Sequence, residues 1–353
     1  MISLSGWIRP AALNGALDDC SLVIPTYRRP DDVVSLLTHL ASLRDIPGEV
    51  VVVDGSPDDL TDRAVASFAA SRPLPYRLQF VRSPAGLTRQ RNVGLDASAG
   101  EYIYFLDDDC RPYDGYFAAL HEVFRADVER RVGAVAGSVM NQMNEPLSLR
   151  WRVRFALGLV PRGTPGTYYP TATSVPRSLM KPFTGTRQVD IVPGGAVAYR
   201  REVFADQRFS LFFAGYAQGE DLEMSRRIAR RWKLLWCGDA HVDHNHAASG
   251  RPPSAERGRM EVRNRYFIWK RHTAHPRLVD RFRFWGDIAY VAAYDLVSAL
   301  AHPTRPVGLA HAYGCVQGVA SCLLSPPRYD EPPAAREYVV ELREGDARPP
   351  GQR

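Results

Sequence analysis

The sequence predicts a wound α/β domain followed by a helical extension. Three observations carry that prediction. Short β-branched or apolar runs alternate with stretches of helical spacing over the first hundred residues, two of these runs close on aspartates, and the composition shifts near residue 250. At 353 residues, 45% hydrophobic and 24% charged, the chain suffices for one large domain or two ordinary ones, which excludes disordered, collagen-like and disulfide-miniprotein classes.

The elements follow in order. Residues 1–19 lack a charged region leading into a long apolar run, so no signal peptide is expected. CSLVIPTY (20–27), EVVVVDGS (49–56), YRLQFVRS (76–83) and YIYFLDDD (102–109) read as strands. Between them, DDVVSLLTHLASL, DDLTDRAVASFAA and GLTRQRNVGLDASA read as helices, the first two opened by acids that suit a helix start. Runs this apolar belong in a sheet covered on both faces, with functional residues at the C-terminal strand ends. A helix at 114–128 and a strand at 132–139 follow; residues 141–186, rich in Pro, Gly, Thr and Arg, read as long loops or a lid. RQVDIVPGGAVAYRREVF restores regularity, then GEDLEMSRRIARR as a helix and WKLLWCGDAHV as a strand. Beyond residue 250 come a basic aromatic helix, ERGRMEVRNRYFIWKRH, an apolar helix, FWGDIAYVAAYDLVSAL, and a Pro-rich tail. Pro306–Leu324 carries no charge and holds Gly314 and Gly318 at the spacing of packed membrane helices, but its polar interruptions favour a buried or interfacial helix over a span.

Five cysteines without a CxxC pair indicate neither a zinc ribbon nor a disulfide framework, and fit a reducing, cytoplasmic compartment. The net charge is +6, and all but three of the 45 basic residues are arginine, the side chain suited to gripping phosphate or carboxylate bidentately. Residues 101–129 hold eight acids against two arginines, whereas 150–208 and 251–283 each hold ten bases against three acids. An acidic centre between basic flanks would repel a nucleic-acid backbone, so no nucleic-acid partner is expected.

Five constellations can carry chemistry. Asp107, Asp108 and Asp109 close the fourth strand; Asp107 and Asp109 would share a face, and crowded carboxylates call for a hard cation such as Mg or Mn, the alternative being an acidic turn. Asp54, with Pro25, Thr26 and Tyr27, offers carboxylate and hydroxyl groups at adjacent strand ends, where a base edge or ribose could bind; ordinary turn chemistry explains them equally well. Arg91, beside Arg89 and Gln90, could reach phosphate or lie on a solvated face, while Asn92 and Gly94 permit close packing. Glu220 and Asp221 open a helix after Gly219, where one acid caps well and a second suits proton abstraction from a hydroxyl. His244 and His246, in HVDHNH with His241, point the same way on a strand and could complete a metal site.

In this order, VIPTYRRP, VVVDGSPDD, GLTRQRNVGLDASAGEYIYFLDDD, VPGGAVAYRREVF, GEDLEMSRRIARR and AHVDHNH resemble the inverting family 2 glycosyltransferases of the GT-A fold, a Rossmann-like wound mixed sheet. The resemblance implies a catalytic domain over 20–250, with a nucleotide-binding half at 20–109 and an acceptor half at 110–250, and leaves 251–353 as a helical extension and tail. It implies nucleotide binding by Pro25, Thr26, Tyr27, Asp54, Arg91, Asp107 and Asp108, sugar passing Gly194 and Gly195, Mn2+ or Mg2+ on Asp109, Asp107 and His244, and Asp221 as base supported by Glu220. The donor would be a UDP- or dTDP-linked sugar and the acceptor an unspecified hydroxyl. Neither QxxRW nor flanking spans of the processive synthases is present, which favours single addition. A sugar-nucleotide hydrolase and a non-catalytic membrane-docked binding protein are the competing readings, the latter using RNRYFIWKRH on an anionic membrane.

Overall fold

A computed structural model describes residues 16–213, 215–246, 251–301 and 307–327. Most of the expected N-terminal segment and nearly all of the Pro-rich tail therefore lie outside the described residues, as does Pro306.

Nine strands form one mixed sheet: β1 (Ala16–Thr26), β2 (Ile46–Asp54), β3 (Arg77–Arg82), β4 (Tyr102–Leu106), β5 (Cys110–Pro112), β6 (Val132–Val139), β7 (Thr186–Val189), β8 (Ala196–Arg200) and β9 (Lys233–His244). Their spatial order is β3-β2-β1-β4-β8-β6-β9-β5, with β7 also on β9. β3, β2, β1 and β4 run parallel, and β8 is inserted antiparallel between β4 and β6. The chain winds outward from β1 to β3 and then returns to the other side of β1 as β4, which opens a crevice at the C-terminal ends of β1 and β4.

Helices α1 (Pro30–Leu40), α2 (Leu60–Ala70) and α4 (Tyr116–Ala126) cover one face of the sheet through Leu36, Leu37, Phe68, Phe117 and Leu120, all buried. α3 (Leu87–Ala97) and α6 (Glu220–Ile228) cover the other through Val93, Leu95, Met224 and Ile228. Burial on both faces accounts for the unbroken valine runs of β2, whose registers with β1 and β3 extend to Asp54. β1 starts before the expected boundary because Ala16 and Leu17 already pair with Ile46 and Pro47. The expected lid at 141–186 contains one regular helix, α5 (Leu149–Ala156).

The extension forms a third core. α7 (Ser254–His272), α8 (Leu278–Ala301) and α9 (Val307–Leu324) bury Phe267, Trp269, Phe284 and Ile288 with Phe213 and Ala217 of the loop before α6. Phe212 stacks on Phe267 with ring centroids 3.9 Å apart, joining that loop to α7. The Gly314 and Gly318 spacing has a packing explanation: a Cβ at Gly314 would strike the Ala255 backbone, and one at Gly318 would lie 2.7 Å from the Val262 Cβ. α9 is long and apolar enough to cross a membrane, yet its small-residue stripe packs on α7.

Candidate active site

The crevice is a cavity of about 880 Å³ that collects residues from every expected constellation except Asp54. The strands explain this convergence. β1 delivers Pro25, Thr26 and Tyr27, β4 delivers the aspartates, the turn before β8 delivers Gly194 and Gly195, α6 delivers Glu220 and Asp221, and the end of β9 delivers His244.

The three aspartates do not continue a strand. β4 stops at Leu106, and the chain turns through Asp107, Asp108 and Asp109, closed by the Cys110 amide donating to the Asp107 carbonyl at 3.0 Å, before β5 resumes. Alternation therefore fails here, and the expectation that Asp107 and Asp109 share a face is corrected: the three side chains take different partners. Asp107 accepts from Arg91 at 3.3 Å. Asp108 is buried, accepting from Thr26 Oγ1 and Arg29 Nη1, each at 2.7 Å; burial lifts its carboxyl to about 6 against the pull of Arg29. Asp109 Oδ1 lies 3.0 Å from His244 Nε2. The described residues thus offer Asp109 and His244 jointly to a cation, while Asp107 stands apart with Arg91.

That donor set fits Mn2+ or Mg2+. One carboxylate and one imidazole suit a cation that takes its remaining ligands from diphosphate and water. Cys110 Sγ lies in the same group, but the thiol is buried, bonds to the Gly195 carbonyl at 3.3 Å and is pushed far above its ordinary range by burial, so it remains a thiol.

Around α6, adjacent acids have separate environments. Gly219, in the left-handed region at φ 91°, turns the chain into the helix. Glu220 is buried and accepts from Arg91 Nη1 at 2.7 Å; burial first, and Asp221 second, push its carboxyl above the usual range. Asp221 is half-buried on the cavity wall. Arg91 is 1% exposed and clamps Glu220 and Asp107 together, so it is an internal tie and not a solvated arginine. The two glycines make room for that tie. A Cβ at Gly194 would come within 2.7 Å of Arg91 Nη1, and one at Gly195 would overlap the Asp107 carboxylate.

Asp54 is the departure from expectation. It is fully buried, its Oδ1 accepts from the Ser56 amide at 2.9 Å and from the Ser56 hydroxyl, and Arg82 lies 3.5 Å from Oδ2. The turn after β2 engages Oδ1 of this carboxylate, as its turn-forming sequence allowed, while Oδ2 is buried without a hydrogen bond from the described residues. Arg29 and Arg177 carried no specific sequence signal, whereas Gln90 and His246 stand in constellations marked by the sequence and take the following partners. Gln90 Nε2 donates to the Thr26 carbonyl at 2.6 Å and the Val53 carbonyl at 2.9 Å, locking the ends of β1 and β2 together. Arg29 neutralises Asp108, and Arg177, from the irregular segment, enters the cavity. His246, past the end of β9, lies with its ring centroid 4.2 Å from that of His244, tilted by 41°, and bonds to Gln142 at 2.7 Å.

A family model described as glycosyl transferase family 2 matches residues 21–207, more than half of the chain. The chain belongs to that family. As a family 2 glycosyltransferase it is 33% identical over 91 residues to an uncharacterized glycosyltransferase of Haemophilus influenzae, a stretch covering 25% of this chain and 29% of that relative. It is 34% identical over 92 residues to the poly(ribitol-phosphate) beta-N-acetylglucosaminyltransferase TarS of Staphylococcus aureus, covering 25% of this chain and 16% of TarS. The chain thus matches less than a third of the length of these curated relatives. In structure it is similar to the mannosyltransferase PcManGT of Pyrobaculum calidifontis in complex with GDP-Man and Mn2+, with a TM-score of 0.53 at 18% identity over 89% of this chain and 91% of that one. GalNAc-T7 with UDP, GalNAc and Mn2+ gives 0.51 at 18% identity over 81% and 58%. The fold is that of the GT-A glycosyltransferases, carrying a C-terminal helical extension.

Proposed function

We propose that this family 2 glycosyltransferase is a metal-dependent inverting enzyme that moves a single hexosyl or deoxyhexosyl unit from a UDP- or dTDP-linked donor to an acceptor hydroxyl. The observation that carries the reading is the half-buried Asp221 carboxylate sharing one cavity with the Asp109–His244 pair. A sugar hydroxyl is not ionised at neutral pH, so the attacking oxygen must lose its proton as the new bond forms. Asp221 accepts it, an assistance of about 10² to 10⁴-fold in rate. Glu220, pushed toward its protonated form, places less like charge beside Asp221 than a second carboxylate would. Arg91 fixes Glu220 relative to Asp107, and so α6 relative to the aspartate turn. Attack on the face opposite the departing diphosphate inverts the anomeric centre.

Asp109 and His244 would hold Mn2+ or Mg2+, which when bound stabilises the charge gathering on the leaving diphosphate. Pro25, Thr26 and Tyr27 form the donor floor, Asp108 anchors Thr26 from behind, and Asp54 supports the floor through the Ser56 turn. The neighbours bound to GDP-Man or UDP with Mn2+ support a nucleotide-linked donor and a divalent cation. We place the enzyme in the cytoplasm, at the surface of an anionic membrane. The apolar exposure of Phe282 and Leu300 on α8 and Leu323 and Leu324 on α9 supports that placement.

The test is thermal stabilisation by UDP-, dTDP- and GDP-sugars with and without Mn2+. A cation-dependent shift for at least one donor is expected, and equal shifts with and without Mn2+ for every donor would defeat the metal-dependent reading.

A further inference from the structure

Among the arginines around the cavity, Arg29 is bonded to Asp108 at 2.7 Å, and Arg91 is bonded to Glu220 at 2.7 Å and Asp107 at 3.3 Å. Arg177 is different. It is half-buried in the short helical turn Arg177–Leu179, and its guanidinium makes no hydrogen bond or ion pair with any described residue. It feels the charges of Asp221 and Asp107 without touching either. A guanidinium withdrawn from water with nothing to bind is costly unless a ligand supplies the missing acceptors.

Its position indicates the ligand. Arg177, His244 and His246 are shared between the donor cavity and an adjoining groove of about 500 Å³ whose other walls include Asn141, Gln142 and Asn245. Arg177 therefore stands on the wall between the two spaces, beside the half of the cavity that holds Asp109. An anion there would meet a fixed fork of N–H donors, a geometry that matches phosphate oxygens two at a time.

Building on the glycosyl-transfer reading, we infer that Arg177 is a substrate-binding residue that takes a phosphoryl group at the boundary between donor cavity and groove. Two sources share that chemistry: the diphosphate of the donor, and a phosphate carried by the acceptor in the groove. The reading explains why a half-buried arginine on the cavity wall has no protein partner while Arg29 and Arg91 are bonded to carboxyl groups.

The experiment is calorimetric titration of the full chain in Mn2+, comparing wild type with Arg177→Gln and Arg177→Lys. The probes are UDP, dTDP and GDP, the matching nucleosides, and inorganic phosphate added to free and to nucleotide-saturated protein. If the donor is the source, Arg177→Gln weakens the nucleoside diphosphate by about tenfold to a hundredfold, leaves the nucleoside unchanged, and is partly rescued by lysine. If the acceptor is the source, nucleotide affinity is unchanged and phosphate binding to the saturated protein is lost. Either result supports the inference. Affinities for both probes within twofold of wild type would overturn it. So would a clear fall in the melting temperature of Arg177→Gln, because a side chain without a protein partner should cost nothing when replaced. Failure of the wild type to bind any nucleoside diphosphate would instead sink the glycosyl-transfer reading, and phosphate titration of the free protein would still decide the role of Arg177.

Discussion

Glu220 and Glu223 lie three residues apart on α6 and both are buried, but one belongs to the cavity and the other to the helical extension. On the extension side, Glu223 is surrounded by Arg227 at 2.8 Å, Arg271 at 3.2 Å and His272 at 3.5 Å, and the hydrogen bonds and the two guanidinium charges hold its carboxyl below the usual range despite burial. On the cavity side, Glu220 has one arginine, shared with Asp107, and an acidic neighbour, so it is pushed the other way. The same contrast holds more widely. Asp287 of α8, fully buried, receives Arg154 of α5 at 2.7 Å and Arg265 of α7 at 2.6 Å, so three elements meet on one carboxylate. Around the cavity the buried charges are incompletely matched and end at side chains facing open space, Asp221 and Arg177. Buried charge in the extension is architecture; buried charge at the cavity leaves capacity for a substrate.

The largest effect should come from the cavity side. Asp221→Asn keeps the size of the side chain and removes its basicity, so we expect turnover to fall about 10² to 10⁴-fold with donor affinity preserved. Initial rates of sugar transfer alongside calorimetric donor binding check it. A parallel loss of donor affinity would mean that Asp221 holds donor and is not the base.

Next is the Asp287 cluster. Asp287→Ala leaves Arg154 and Arg265 buried without their carboxylate, which should cost about 3–5 kcal/mol of stability. Denaturant unfolding measures this, and at low temperature donor affinity should be unchanged. An Asp287→Ala protein as stable as wild type would remove the distinction between the two regions.

How much of this was legible in the sequence depends on what each residue bonds to. Strand order and the positions of the aspartates, Glu220, Asp221 and His244 follow from local pattern, because strand C-termini converge wherever a parallel sheet is wound. α3 was harder to read. TRQRN leaves open a phosphate contact or a solvated face for Arg91, but Thr88, Gln90, Arg91 and Asn92 are all buried because each is tied to a strand end or loop brought close only by the fold, as Asn92 is to Phe209 at 2.9 Å in both directions. The direction of each aspartate was not legible either, since β4 ends one residue before them. Local charge counts missed part of this: in 251–283, Arg265 and Arg271 are turned inward onto Asp287 and Glu223, so these two are not offered to a partner, whereas Arg277, paired with Asp280, stays exposed.

A smaller and more diagnostic effect concerns pH. Because the folded protein holds the Glu220 proton where the unfolded chain has already lost it, stability falls as pH rises from about 4.5, by up to about 1.4 kcal/mol per pH unit. Glu223 works the other way: its contribution is full above that pH and is lost as pH falls. Glu220→Gln should therefore flatten the alkaline arm of the stability profile and leave the acid arm in place. Melting temperatures of both proteins from pH 4 to pH 9 test the difference; superimposable profiles would show that Arg91 neutralises Glu220 as fully as the cluster neutralises Glu223.

The smallest effect is at the outer face of the extension, where the inward and outward sides of one helix divide the labour. α8 turns Asp287 inward and presents Phe282, 71% exposed, and Leu300, 67% exposed, to the outside. Side chains of this size gain roughly 1.5–3 kcal/mol on leaving water, so even partial burial of one phenyl ring in a lipid interface should shift partitioning several-fold. Phe282→Glu also brings a negative charge toward an anionic surface, and the two changes add. We expect the variant to cosediment several-fold less with phosphatidylglycerol vesicles than wild type while keeping its melting temperature, since the ring contributes little to the core. A drop in melting temperature would place Phe282 among the structural residues and move the outer face of α8 to the same side of the comparison as Asp287.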